Sequence, residues 1–251
     1  MKKIALVTGA SAGLGVEFAR QLSKRGYRLV LVARRKDRLE VLAKELGNAR
    51  AVAIDLSKSN AAAKLLSELN ANGEVVEVLV NNAGFGLIGK FAEADAKRLR
   101  QMIDLNVGTL VDLCRAVVPG MIERKSGRII NVASTAAFQP GPKMAVYFAT
   151  KAFVLSFTEA LHEELKRHGI HVTCLCPGPT RTEFGEVAGF RGNEMFDWVA
   201  MNAPEVVSAG LHGVDRNKAV AIPGLLNKLT ANGGRFAPRS VVRKIAGAIK
   251  Y

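Results

Sequence analysis

The chain is poor in aromatic rings and in acid. Aromatic residues fill 6% of its 251 positions, with one tryptophan, so a core of stacked rings is excluded; at 49% hydrophobic, the core is expected to be Ala, Val, Leu and Ile. Such a core suits a parallel sheet covered by helices. The three cysteines, Cys114, Cys174 and Cys176, form no CxxC pair and no disulfide framework, and Cys174 and Cys176 read as alternate positions of one strand. A cytoplasmic, reducing location is expected. His162, His168, His171 and His212 lack ligand spacing with any Cys or carboxylate cluster, so no metal is expected. No uninterrupted apolar run approaches the roughly 18 residues of a membrane-spanning helix. The short run after Met1-Lys2-Lys3 ends at Thr8-Gly9 and reads as a first strand rather than a signal peptide. Linker-like stretches, repeats and low-complexity tracts are lacking, so residues 1–251 are read as a single domain.

Acidic residues number 22 against 36 basic, giving a net charge of +14, and from Arg216 to Tyr251 there are eight basic side chains and no acidic one. Clustered positive charge steers anions over about a Debye length. It serves as solvated surface, as contacts to an anionic cofactor, or as a face for an anionic partner. No nucleic-acid reading motif accompanies it, so nucleic acid is not expected as a partner.

Short β-type runs alternate with longer stretches of helical period through residue 176, the pattern of repeated βαβ units. Strands are predicted at Ile4–Thr8, Arg28–Ala33, Ala51–Ile54, Val78–Val80, Arg128–Val132, His171–Cys176 and Lys218–Ile222. The longest helix is predicted from Ala145 to His168, stopped by Gly169. After Pro177-Gly178-Pro179 the pattern breaks, and about 180–217 is read as a substrate loop. It carries Phe184, Phe190, Met195, Phe196, Trp198 and Met201, which either line an apolar pocket or pack on the core or a neighbouring subunit. The segment 224–251 is read as basic and helical. Its Leu225, Leu226, Leu229, Val241, Val242, Ile245 and Ile249 recur at helical intervals, with Lys228, Arg239, Arg243, Lys244 and Lys250 between them. That pattern fits an anionic membrane surface, an acyl carrier or a subunit interface.

Directly after the first strand comes Thr8-Gly9-Ala10-Ser11-Ala12-Gly13-Leu14-Gly15, then a helical stretch. Glycines let the chain turn sharply and approach a pyrophosphate, and the helix N-terminus offers it free N–H groups. Gly9, Ser11, Gly13, Leu14 and Gly15 are therefore candidate cofactor contacts. The fold class is α/β: a Rossmann-type, doubly wound parallel sheet of about seven strands, helices on both faces. Where an NAD enzyme usually places an acid after the second strand, Arg34-Arg35 stand; two guanidiniums suit a 2′-phosphate, which points to NADP, or are merely solvated. Asp55 and Leu56 are candidates for the adenine, with Asp55 as the cap of a helix from Ser57 onward nearly as open.

These motifs, with Asn81-Asn82-Ala83-Gly84, Ser134, Tyr147-x3-Lys151 and Pro177-Gly178 in order, resemble the short-chain dehydrogenase/reductase family over essentially the whole chain. Tyr147 and Lys151 lie four apart on one helix and share a face. A phenol ordinarily titrates near pH 10, and an adjacent ammonium together with an oxidised nicotinamide stabilises its anion. Ser134, at the carboxyl end of a strand, is placed to hydrogen-bond a substrate oxygen. The resemblance implies that Asn106 holds a water linking Lys151 to solvent and that Lys151 also binds the nicotinamide ribose. It further implies that Asn82, Ala83 and Gly84 line the adenosine side, and that Pro177, Gly178 and Thr180 hold the carboxamide. Within the family, the chain looks most like an NADP-preferring branch of long-chain 3-ketoacyl reductases and hydroxysteroid dehydrogenases. A homodimer or homotetramer is implied as well.

The function expected is an oxidoreductase that moves hydride between NADP(H) and the carbonyl or alcohol carbon of an apolar substrate, in the reductive direction. The alternative is an NADPH-binding sensor or scaffold with little turnover. Its signature would be a damaged catalytic set, whereas Ser134, Tyr147 and Lys151 are all present.

Overall fold

The computed structural model describes residues 2–189, 200–234 and 238–248. Seven parallel strands form one sheet in the order β3-β2-β1-β4-β5-β6-β7. They are β1 Lys2–Thr8, β2 Arg28–Ala33, β3 Ala49–Ala53, β4 Glu74–Asn81, β5 Gly127–Val132, β6 Ile170–Leu175 and β7 Val220–Ala221. Each strand predicted from sequence is present, with ends shifted by up to four residues; the largest change is β4, which begins at Glu74 because it pairs with β1 from Lys2 onward. Alternate side chains feed two cores. Ile4, Leu6, Val30, Leu79, Ile129 and Val172 face one side, and Ala5, Val7, Leu31, Val80, Ile130 and Leu175 the other. Burial on both faces explains the continuous Val, Leu and Ile runs of these strands.

The first core is covered by α3 (Ala61–Ala71), α5 (Leu110–Arg124) and α6 (Ala145–Leu165) through Leu65, Leu113, Met121 and Val154. The second is covered by α1 (Gly13–Lys24) and α2 (Lys36–Leu46) through Phe18, Leu22, Leu39 and Leu42. A short helix α4 (Ala96–Ile103) runs through a π-helical stretch, Asp104–Thr109, into α5. This continuous run of 29 residues reaches the length and hydropathy of a membrane span, yet Leu110, Leu113, Val117 and Met121 are buried against the sheet. Helix α6 ends through a 3-10 turn at Gly169, whose φ of 74° is the left-handed stop predicted there.

The reading of 180–217 as one loop is corrected. Helices α7 (Phe184–Ala188) and α8 (Ala203–Asp215) stand within it, and α8 buries Val206, Val207, Leu211 and Val214 in the second core. Its glycines misled the sequence reading. Side chains added at Gly210 and Gly213 would come within 2.9 Å of Leu175 and 3.0 Å of Ala221, so both glycines let α8 lie close on β6 and β7. Pro204 at the start of the helix was the available signal. Phe190, Met195, Phe196 and Trp198 lie outside the described residues.

The basic segment forms α9 (Leu225–Gly233) and α10 (Arg239–Ala248). Leu225, Leu226, Leu229, Val241 and Ile245 are exposed on them; Ile249 and Lys250 lie outside the described residues.

Leu211→Ala in α8 is expected to cost about 2–5 kcal/mol of unfolding free energy, as buried Leu truncations do. Leu229→Ala, at 63% exposure, should stay within about 0.5 kcal/mol. Urea denaturation of the two variants decides it; equal losses would deny α8 its place in the core.

Candidate active site

Chain reversal between β1, joined to β2 on one side, and β4 on the other opens a crevice at the carboxyl ends of the strands, where ligands of open α/β sheets bind. A cleft of about 560 Å³ fills this position. Of the residues singled out from sequence, it gathers Gly9, Ser11, Gly13, Leu14, Arg34, Arg35, Asp55, Leu56, Asn82, Ala83 and Gly84 on one arm. Ser134, Tyr147, Lys151, Pro177, Gly178 and Thr180 line the other. Gly15 and Asn106 do not line it. They act from behind.

The glycine turn is shaped by contact. Gly9 has φ 68°, and a Cβ there would lie 2.7 Å from Asn82 Nδ2; a Cβ at Gly15 would lie 2.1 Å from the Gly9 carbonyl oxygen. Gly15 therefore brings α1 onto the turn rather than touching a ligand. The turn is braced from β4: Asn82 Nδ2 donates to the Thr8 carbonyl at 2.9 Å, and the Asn82 and Ala83 amides both donate to Thr8 Oγ1 at 3.0 Å. Asn82 thus holds the cradle together, and Thr8, whose role sequence reasoning missed, is the post it ties to. No side chain caps the N-terminus of α1, leaving its first amides to the cleft. A bare helix start, a glycine cradle that any Cβ would fill and adjacent guanidiniums together fit a dinucleotide phosphate.

Arg34 is exposed on the cleft, and its charge, after the bonds from Ser57, helps hold the Asp55 carboxyl below its usual range against burial. Asp55 also accepts from the Ser57 amide at 3.0 Å and hydroxyl at 2.7 Å; these bonds cap a turn, because the helix begins only at Ala61 rather than at Ser57, and Asp55 also lines the cleft. Arg35 is engaged differently. Its Nε and Nη2 donate to Ser11 Oγ and Ser11 O at 3.2 Å, and Nη1 donates to Glu183 at 2.9 Å.

On the other arm, Tyr147 and Lys151 lie one turn apart on α6, both buried, with Lys151 Nζ 5.7 Å from the Tyr147 ring centre. Lys151 donates to the Val132 carbonyl at 2.8 Å, at the end of β5. Ser134, two residues further, accepts from the Ala136 amide at 3.1 Å, which fixes its rotamer. Beneath them a buried chain that sequence reasoning missed sets the rotation of α6. Asn81 donates to Asn131 at 2.9 Å, and Asn131 to Thr158 at 3.0 Å. The signal was there: amides at the ends of otherwise apolar strands.

Asn106 lies in the π-helical stretch, a geometry found most often at functional sites. Its Oδ1 accepts from the Phe85 amide, while Nδ2 donates to the Phe85 carbonyl and Thr150 Oγ1. A Cβ on Gly84 would fall 2.9 Å from Asn106 Oδ1 and 3.7 Å from Lys151 Nζ, so only glycine fits between them.

Burial pushes the Tyr147 phenol up to about 12, with the neighbouring Ser134 hydroxyl opposing, and pulls the Lys151 amine down to about 8. The shift toward neutrality, expected from the ammonium and an oxidised nicotinamide together, is not present in the protein alone, where burial dominates. A second positive charge beside the phenol would oppose that burial. Around it, Met102, Met144, Phe148 and Phe184 form an apolar wall, the Phe184 ring lying 5.6 Å from that of Tyr147.

This is the site of a dinucleotide-binding oxidoreductase. The chain belongs to the short-chain dehydrogenase/reductase family, whose model, described as short chain dehydrogenase, matches residues 3–189. It is 37% identical to an uncharacterized oxidoreductase of Staphylococcus epidermidis over 75% of this chain and 83% of that one. It is 35% identical to a very-long-chain 3-oxoacyl-CoA reductase of Rattus norvegicus, over 73% of this chain and 61% of the rat protein. Among solved structures it superposes on a short-chain dehydrogenase of Sphingobium yanoikuyae in complex with NADPH, with TM-score 0.83, 33% identity, and coverage of 100% of this chain and 97% of that one. It is an oxidoreductase of this family, acting on carbonyl or alcohol groups.

Proposed function

We propose that the protein is an NADP(H)-dependent reductase of an apolar ketone, of 3-ketoacyl or steroid-like character, working in the cytoplasm. One observation carries this reading: Ser134, Tyr147 and Lys151 converge on an apolar wall at one end of a cleft whose other end presents Arg34 and Arg35. The arginines favour a 2′-phosphate over bare ribose hydroxyls. The S. yanoikuyae relative in complex with NADPH and the rat 3-oxoacyl-CoA reductase support the cofactor and the substrate class.

A dinucleotide held by Gly9, Ser11, Gly13 and Lys151 would supply the hydride for the carbonyl carbon and, when oxidised, a positive charge to the site. Ser134 Oγ donates to the substrate oxygen and polarises the carbonyl. Tyr147 transfers its phenolic proton to that oxygen, completing the alcohol. Lys151, lowered to about 8 and held by Val132, stabilises the phenolate and returns a proton to it, with Asn106 holding the relay toward solvent. In the reverse direction Tyr147 accepts the proton. Gly15 and Asn82 keep the turn open, and Pro177, Gly178 and Thr180 orient the carboxamide.

Phe153 and Phe157, stacked at 5.8 Å with Phe153 exposed on α6, support a homodimer or homotetramer through this helix. The exposed leucines of α9, set among basic side chains with no acid from Arg216 onward, fit an anionic membrane surface as the source of a lipid-like ketone. Flotation with vesicles containing phosphatidylserine at low salt is expected to carry wild type upward but not a Leu225→Ser/Leu229→Ser variant. Absence of wild-type flotation would overturn the membrane contact.

A panel of ketones, 3-ketoacyl thioesters and steroids, scored by NADPH consumption, tests the reaction. Tyr147→Phe is expected to lose at least about a hundredfold in turnover, the contribution of a positioned acid, while NADPH binding is retained. Turnover equal to wild type would refute the role of the phenol.

A further inference from the structure

Three consecutive residues, the last of them opening α7, touch three parts of the cleft. Thr182 packs on the glycine turn, where a Cβ at Gly13 would meet it at 3.0 Å, and Phe184 lies against Tyr147. Between them Glu183 reaches toward α2. Its Oε2 accepts from Arg35 Nη1 at 2.9 Å and its Oε1 from Arg38 Nη1 at 2.5 Å. The two guanidiniums hold the Glu183 carboxyl below its usual range. Asp55, the other acidic side chain lining this cleft, turns an oxygen to Ser57. Glu183 is thus the acid that engages the arginine cluster itself.

A carboxylate and a phosphate ask the same thing of a guanidinium: paired N–H donors and a positive charge. Arg35 commits Nε and one Nη2 N–H to Ser11 and one Nη1 N–H to Glu183, so the carboxylate occupies part of the fork a phosphate would use. We propose that Glu183 is a specificity determinant for the cofactor, competing with the adenosine 2′-phosphate for Arg35 and Arg38 and so lowering the preference for NADPH over NADH. The proposal rests on the assignment of Arg34 and Arg35 to the 2′-phosphate. NADPH has to displace the carboxylate from Arg35 or bind beside a like charge. NADH, with only hydroxyls at that position, leaves the ion pair standing. At 41% side-chain exposure on each partner, solvent screens the pair, so the effect is a modest factor rather than a switch.

Equilibrium binding of NADPH and NADH by fluorescence, and of adenosine 2′,5′-bisphosphate and adenosine 5′-monophosphate by calorimetry, tests this without turnover. Glu183→Gln is expected to tighten NADPH and the bisphosphate by about 2- to 5-fold, the range of an exposed ion pair, with NADH and the monophosphate unchanged. Glu183→Ala should follow with the same sign. Unchanged or weaker NADPH binding in Glu183→Gln, or equal tightening of both dinucleotides, would overturn the proposal. Arg34→Asp separates it from its premise. If that variant weakens NADPH far more than NADH while Glu183→Gln tightens neither, only the competition fails; if it weakens both equally, the phosphate assignment and the proposal fall together.

Discussion

The hydrogen bond from Lys151 to the Val132 carbonyl, 2.8 Å long and buried, is the constraint around which the site is organised. It joins the middle of α6 to the end of β5, and so fixes where an amine, a phenol one turn earlier and the Ser134 hydroxyl meet. The surrounding structure serves that junction. The Asn81-Asn131-Thr158 chain stops α6 from rotating, and Asn106 with Gly84 closes the space behind the amine. The buried amide donors of Asn81 and Asn131 are paired in this way, although Asn81 Oδ1 has no partner among the described residues, and any other rotation of α6 would leave the Asn131 donor unpaired in a low-dielectric interior.

The electrostatics of the two arms are opposite in sense. At the catalytic arm, burial drives both titrating groups toward neutrality: the phenol up, the amine down. The free protein therefore holds a weak acid beside a weakened cation. At the phosphate arm, Arg34, Arg35 and Arg38 hold more positive charge than Glu183 offsets, so an anion is drawn in. On the proposed function, a dinucleotide would complete both arms, with the arginines available to its phosphates and its oxidised ring a source of the charge the phenol lacks. Proton chemistry at Tyr147 is thereby tied to occupancy of the cleft.

Much of this was legible in the sequence where local physics decides. Strands buried on both faces show as continuous apolar runs, the glycine turn between β1 and α1 shows as Gly9, Gly13 and Gly15, and the i to i+4 spacing of Tyr147 and Lys151 puts both on one face of a helix. What was hidden depends on contacts distant in sequence. Gly210 and Gly213 looked like loop formers because nothing local reveals that Leu175 and Ala221 press against them. Arg35 looked free for a phosphate because its partner, Glu183, is 148 residues away. The same holds for Asn106, whose place behind the cleft follows from its bonds to Phe85 and Thr150.

The central claim is that the Tyr147 phenol becomes a usable acid only when a dinucleotide's positive charge joins that of Lys151. The chain has three tyrosines, so a Tyr27→Phe/Tyr251→Phe variant leaves Tyr147 alone to be followed by phenolate absorbance. Titration without cofactor is predicted to show ionisation near 12, and with saturating NADP+ to show it well below that value. Identical titration curves with and without NADP+ would contradict the account.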